Sequence, residues 1–334
     1  MLTILSTMAD GAAPPLLAKV ISKSNGEWLK RNYDNAYRFA AHTCEVRNIH
    51  ELAVWLSVLE EMPDRAVIRG RLVEGRDEIG IRRTLHTSAN PDGNFEPAPG
   101  GVSWVMLDID KLPVASRGFT TNEERLNYAI SVLPSEFHRA TYYYQWSSSA
   151  GLDDWATLSL HVWFWLSEPW ACRTLFERIE YGDWMDCDID PAPFTANQLH
   201  YTAAPIFEGV ADPLGAHRSG LILGEIDEVS LTPWVREISP PPVFTAIERE
   251  QRFPGSGFED LLKEIGPAYH RPILRAVAHY VAVTAQPDIF ALKDRIRDTI
   301  WLATPGRNRK EDYLDDRYLD RVIHGALRKF GRFD

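Results

Sequence analysis

Apolar positions along the chain fall into two periods, alternate residues in some runs and every third or fourth residue in others, with turn-forming residues between them. Residues 36–46 (AYRFAAHTCEV) alternate like a strand, and residues 49–62 carry Leu52, Trp55, Leu56 and Leu59 on one helical face, with Asn48 placed as N-cap and Pro63 as stop. Residues 66–73 (AVIRGRLV) read as a strand with Arg69 and Arg71 on one face. Residues 87–101 are dense in Asn-Pro, Asp-Gly and Pro-Gly, and deliver the chain into an apolar strand, SWVMLDID, that ends in Asp108 and Asp110. A helix follows over 123–132, with Thr121 or Asn122 as cap and Pro134 beyond its end; then come a β-prone aromatic run opening into Ser147, Ser148 and Ser149, and a strand over 158–166. Residues 168–181 have helical spacing. After a Pro-rich and Gly-rich connector between Pro240 and Gly257, four further segments show the helical period. The pattern predicts an α+β fold over residues 1–250 and a small all-α bundle over 258–334.

Composition adds bounds to this picture. The chain has 334 residues, 45% hydrophobic and 25% charged, enough apolar material for two cores. No apolar run reaches membrane-spanning length and the first residues lack a basic leader, so the expectation is a cytoplasmic protein with no membrane partner. Cys44, Cys172 and Cys187 have no metal-ligand spacing, so neither zinc nor a disulfide framework is expected. Net charge is −11, unevenly spread: residues 258–334 hold 14 Lys and Arg against 12 Asp and Glu, leaving 22 against 35 for the rest. An acidic protein of this kind still takes nucleotides if metal ions neutralise the site.

The candidate chemistry starts at Asp108 and Asp110. Residues two apart on a strand share a face, so two anionic groups stand side by side, either solvated or sharing a divalent cation. Ser159 and His161 share one face of the later strand and would present donors together. The hydroxyls of Ser148 and Ser149 stand at a strand end, where free N–H groups can face an anion. Arg69, Arg71, Arg82, Arg83 and His86 form a cationic group that reads either as surface salt bridges or as phosphate contacts. Three more carboxylates lie at 186–190, followed by Gln198, His200 and Tyr201. Arg307, Arg309 and Lys310 follow a Pro-Gly turn and form a basic segment suited to a polyanion such as a single-stranded nucleic acid.

In chain order, a strand ending in Asp108 and Asp110, an S-x-H strand (Ser159, His161) and a later isolated Asp resemble the three motifs of the archaeo-eukaryotic primase superfamily, in particular the primase-polymerases of plasmids, phages and mobile elements. SSSAG ahead of SLHVWFW, and IDPAPFTANQLHYTAAPIF after it, are similar to those proteins in context. The resemblance spans residues 67–207. It implies an RRM-like antiparallel-sheet catalytic core with an N-terminal α/β unit, and template-directed nucleotidyl transfer that makes primers on single-stranded DNA. It implies a two-metal site for Mg²⁺ or Mn²⁺ on Asp108, Asp110 and Asp190, with Asp188 as the alternative third ligand. Nucleotide contacts are implied for Ser148, Ser149, Ser159, His161, Arg82, Arg83 and His200. The implied partners are single-stranded DNA, nucleoside triphosphates and a replicative helicase, since no Walker motif occurs in the chain. Gln198 and His200 stand where many relatives carry Arg or Lys. Three other readings compete: a catalytically inactive replication-initiation or DNA-binding module of the same fold; a metal-dependent nuclease or relaxase, the latter needing two histidines where LHVWF supplies one; and an ordinary α+β protein whose acidic strand ends are surface.

Overall fold

The computed structural model describes residues 1–9, 13–87, 90–185, 187, 189–234, 257–266, 268–284, 287–303, 311–314 and 316–330. The chain divides into two compact units, Met1–Arg236 and Glu237–Asp334. In chain order the first contains β1 (Leu2–Thr7), β2 (Val20–Ser24), β3 (Glu27–Arg31), β4 (Phe39–Cys44), α1 (Ile49–Glu60), β5 (Arg65–Ile68), β6 (Gly70–Leu72), β7 (Phe95–Pro97) and β8 (Val102–Pro113). It continues with α2 (Asn122–Ser131), β9 (Tyr142–Trp146), β10 (Thr157–Trp170), α3 (Cys172–Tyr181), β11 (His200–Tyr201), β12 (Ile206–Phe207) and β13 (Ser219–Ile222). This is a mixed α+β unit with several antiparallel sheets.

Two four-stranded sheets organise it, ordered β11-β5-β1-β4 and β13-β9-β10-β8, and every neighbouring pair in both is antiparallel. In the second sheet α2 and α3 cover one face: Val105, Leu107 and Ile109 of β8 and Leu158, Leu160 and Val162 of β10 pack with Leu126, Ile130, Leu175 and Ile179. Its other face carries Trp104, Met106, Trp163 and Trp165, which share a core with Leu2 and Ile4 of β1 and with Leu52, Leu56 and Leu59 of α1. The strand period of two therefore gives β8 and β10 two apolar faces, each closed by a different layer.

The local signals act as physical chemistry dictates. Asn48 caps α1, its side-chain oxygen accepting from Glu51 N–H at 2.9 Å. Thr121 and Glu124 form a reciprocal capping box on α2. The helical spacing over 168–181 extends too far toward its start: Glu168, Pro169 and Trp170 continue β10, and α3 begins at Cys172. The cause is tertiary, because Trp170 pairs with Val102 and its carbonyl accepts from the buried Arg69 guanidinium at 2.9 Å. Arg69 also breaks the strand expected over 66–73 into β5 and β6. β1, which runs through the middle of its sheet, carries no period strong enough to single it out in the sequence.

The second unit contains α4 (Phe258–Lys263), α5 (His270–Val283), α6 (Ile289–Leu302), α7 (Glu311–Leu314) and α8 (Asp316–Lys329). Ile273 and Val277 of α5, Leu292 and Ile296 of α6, and Leu319 and Ile323 of α8 meet in one core, as their spacing requires. Arg307, Arg309 and Lys310 lie outside the described residues. Among the described residues no helix is long and apolar enough to cross a membrane.

Candidate functional site

A cleft of about 300 Å³ opens at the carboxylate end of β8 and gathers residues from distant parts of the first unit. Asp108, Asp110, Ser148, Ser149, Ser159, His161, Asp190, Gln198 and His200 all line it. Three motifs separated by up to 80 positions thus meet at one surface. Lys19, Tyr33, Glu60, Gln145 and Arg218 line it too.

The placement begins with register. His161 stands directly opposite Asp108 on the β8–β10 ladder and opposite Gln145 on the β9 side, which makes a polar row across the sheet. His161 Nε2 lies 3.7 Å from Asp108 Oδ1, and both side chains are about one-fifth to one-quarter exposed, at 21% and 24%. Next along, β8 bulges: Asp110 and Lys111 together oppose Ser159, and Lys111 takes a left-handed φ of 58°. Ser159 Oγ accepts from Lys111 N–H at 2.8 Å and donates to Asp110 Oδ1 at 3.0 Å. The bulge has a second effect. An unbroken strand would turn Leu112 to the same face as Asp108 and Asp110, whereas the extra residue returns it to the core with Val105, Leu107 and Ile109.

The third-motif segment is tied to β8 and β6 by backbone. Asp190 N–H donates to Asp108 O at 3.0 Å, and Gly70 N–H donates to Ala196 O at 2.7 Å. A Cβ at Gly70 would lie 2.7 Å from that same carbonyl, so this close approach requires glycine. Asp190 is exposed at the cleft, while Asp188 lies outside the described residues.

Electrostatics mark Asp108. Its carboxyl is pushed above the ordinary range, first by burial and then by Asp190 and Asp110, against the opposing pull of His161 and Lys19. Asp110 is more open and has Lys111 Nζ at 3.6 Å from Oδ2. Burial lowers the Lys19 ammonium, and Lys30 adds to that, while Asp110 and Asp108 oppose it. Its Nζ sits 5.0 Å over the Tyr33 ring, which stacks on Tyr201 at 3.7 Å between centroids.

The serine turn has a built support. Ser147 N–H donates to Ser159 O at 2.9 Å, and the carbonyl of Ser147 accepts from Arg218 Nη1 at 2.7 Å. Arg218 is buried and holds Asp212 in two bonds of 2.6 Å each. Removing one partner of a buried pair leaves an uncompensated charge, so Asp212→Ala is expected to cost about 3–5 kcal/mol and to loosen the serine turn. A urea melt reads the first effect, and a loss below about 1 kcal/mol would show that Arg218 is solvated instead.

Several expected residues take other roles. Arg82 and Arg83 do not line the cleft; Arg83 donates to Asn197 O and Asn197 Nδ2 donates back to Arg83 O at 3.1 Å, which clamps the segment before β11. Arg71 pairs with Glu96 at 2.6 Å, and Arg69 donates to the carbonyls of Trp104 and Trp170. His200 is 1% exposed between Trp104 and Trp163, and burial, Arg69 and His161 hold its ring far toward the neutral form. It lines the floor of the cleft as a neutral ring. Lys19, Tyr33, Glu60, Gln145 and Arg218 escaped the sequence reading, because none sits in a spacing that announces chemistry.

Oxygen donors of the Asp108, Asp110 and Asp190 type suit a hard divalent cation, and Asp190 and Asp110 both add to the upward push that burial gives the Asp108 carboxyl. Among the described residues no three His, Cys, Asp or Glu side chains are already drawn together as a metal cage. Comparison with protein-family models, curated proteins and solved structures gives no match.

Proposed function

We propose that this cleft performs metal-dependent nucleotidyl transfer, as a primase-polymerase that makes primers on single-stranded DNA for a mobile element or phage. The observation that carries the reading is the convergence of Asp108, Asp110 and Asp190 with Ser159 and His161 on one cleft, from three separate segments. The order β8-α2-β9-β10 supports the split β-α-β part of an RRM-like core, since β8 and β9 run parallel with β10 between them, although an RRM would place its last strand, here β13, beside β8. β13 lies beside β9, which leaves β8 at the edge with its carboxylates accessible.

Asp108 and Asp110 would hold Mg²⁺ or Mn²⁺, with Asp190 completing the set. When bound, the ions supply charge neutralisation for the triphosphate and acidify the attacking hydroxyl. His161 and Ser159 stand next to the carboxylates, where the outer phosphates of a bound nucleotide would lie. The His161 ring, with the hydroxyls of Ser148 and Ser149, would orient those oxygens for in-line displacement, while the Ser159 hydroxyl is committed to Asp110. Asp110 is pre-placed by Ser159, so the S-x-H strand both orients a metal ligand and faces the substrate.

Incubation of the protein with single-stranded template, Mn²⁺ or Mg²⁺ and labelled nucleotides tests the reading. Template-dependent product that vanishes with EDTA is the expected result; no product with any nucleotide or metal overturns it. A second reading has its own support: Ser159 and Lys111 already engage Asp110, and His161 faces Asp108, so the carboxylates have partners without metal. On that reading the protein is a non-catalytic DNA-binding module for replication, and the same incubation yields a bound template and no extension.

A further inference from the structure

We propose that the β2–β3 hairpin is a single-stranded nucleic-acid rail, with Trp28 as a stacking platform and Lys23 and Lys30 as phosphate contacts, leading into the carboxylate cleft. The proposal deepens the nucleotidyl-transfer reading and rests on it for the strand's role as template. Its physical basis is separate. On the hairpin ladder Lys23 opposes Trp28, and Ile21 opposes Lys30. Opposed residues, and residues two apart, share a face, so Ile21, Lys23, Trp28 and Lys30 share one side, which is buried at Ile21 and open at Lys23 and Lys30.

That side forms a second groove of about 460 Å³, lined by Trp28, Lys30, Lys111, Ser149, Asp153 and Ser159. Ser149 and Ser159 line both this groove and the carboxylate cleft, so the two adjoin at these residues. Asp153, an acid in the groove lining, is turned to its own turn, accepting from Thr157 N–H at 3.0 Å and Thr157 Oγ1 at 2.7 Å. Lys23 and Lys30 are exposed, and Trp28 is half-buried with Phe207 against it edge-on at 6.5 Å and Lys23 Nζ 4.8 Å over its ring.

Residues 19–31 hold Lys19, Lys23, Lys30 and Arg31 against Glu27 alone, inside the acidic part of the chain. Concentrating cations beside an accessible indole in an otherwise acidic unit has a cost in mutual repulsion, visible in the effect of Lys30 on Lys19. A bound polyanion relieves it. Alternating phosphates and bases match a groove that offers ammonium groups and one aromatic face, since base stacking on an aromatic side chain is indifferent to sequence.

Phosphates could also arrive as a free triphosphate, and the experiment separates the two sources. The full chain is titrated into a fluorescein-labelled oligodeoxythymidine of roughly 16 nucleotides, and anisotropy is read at stepped salt. Trp28→Ala is expected to raise Kd about 5- to 160-fold, the range for loss of one stacked base, and Trp28→Phe to keep most of the affinity. The double variant Lys23→Ala/Lys30→Ala should lower the salt slope by about 1.4, since each single-strand phosphate contact contributes about 0.7. Its KM for nucleotide should stay within about twofold. Unchanged Kd and slope in both variants overturn the rail, as does a KM that rises while oligonucleotide affinity holds, which would assign the lysines to the triphosphate. If the wild-type protein extends no primer but Trp28→Ala still loses affinity, the nucleotidyl-transfer reading fails and the rail stands. If extension is normal and both variants bind like wild type, the reverse holds.

Discussion

Replacing Asp108 by asparagine is expected to abolish nucleotide incorporation, by at least about a thousandfold, while raising the melting temperature of the metal-free protein at neutral pH. The first effect follows from the several kcal/mol that a bound cation contributes to stabilising transition-state charge, at about 1.4 kcal/mol per decade of rate. The second follows from burial. Folding raises the Asp108 carboxyl above its ordinary value of 3.8, with burial the main cause and Asp190 and Asp110 adding to it. A carboxyl raised in the folded state binds its proton more tightly there than in the unfolded chain. Its contribution is therefore fully present below the unfolded value and is lost as pH rises through the raised one. At neutral pH the ionised group opposes folding, and an asparagine of the same shape does not. The stabilising difference should shrink as pH falls through the raised value and be gone below the ordinary value of 3.8, where the carboxyl is neutral in both folded and unfolded chains. Mg²⁺ reverses the order: saturation at a hundred times Kd would stabilise the wild type by about 2.7 kcal/mol and the variant by far less. Thermal melts in EDTA and in Mg²⁺, run beside a primer-synthesis assay, check all three statements. Full activity in the variant would sink the metal assignment, and a lower melting temperature in EDTA would sink the electrostatic argument.

His161→Ala should raise the KM for nucleotide roughly 10- to 100-fold and leave oligonucleotide affinity within a factor of about two. Loss of a hydrogen bond to a charged group accounts for about 1.5–3 kcal/mol, which sets that range. The ring stands opposite Asp108 with Nε2 3.7 Å from the carboxylate, at the cleft and not along the β2–β3 groove, so its loss should not reach the template. The variant also removes one of the two groups that oppose the upward shift of Asp108, so that carboxyl should move higher still. A pH profile of activity displaced toward higher pH would report it. Equal loss of nucleotide and oligonucleotide affinity would identify His161 as a structural residue of the sheet.

Much of the first unit was legible before any coordinates, and the reason is range. Asn48 and Thr121 as caps, the two-residue period of β8 and β10, and the shared face of Asp108 and Asp110 depend on neighbours within a few positions. So does the helical spacing in the second unit, whose core forms from the faces the spacing picks out. The boundary of α3 misled because Glu168–Trp170 obey a distant partner: Arg69 holds the Trp170 carbonyl across 101 positions. By itself the sequence determined the residue types and order of three short motifs and the strands and helices that carry them. Only the tertiary structure decided which residues join them. It brought Lys19, Tyr33, Glu60 and Arg218 to the cleft, set Arg82 and Arg83 apart from it, sank His200 among tryptophans, and turned Trp28 and Lys30 toward the serine turn. A side chain's chemistry belongs to its residue, but its burial, its field and its neighbours are set by segments far along the chain, and local spacing carries no record of those.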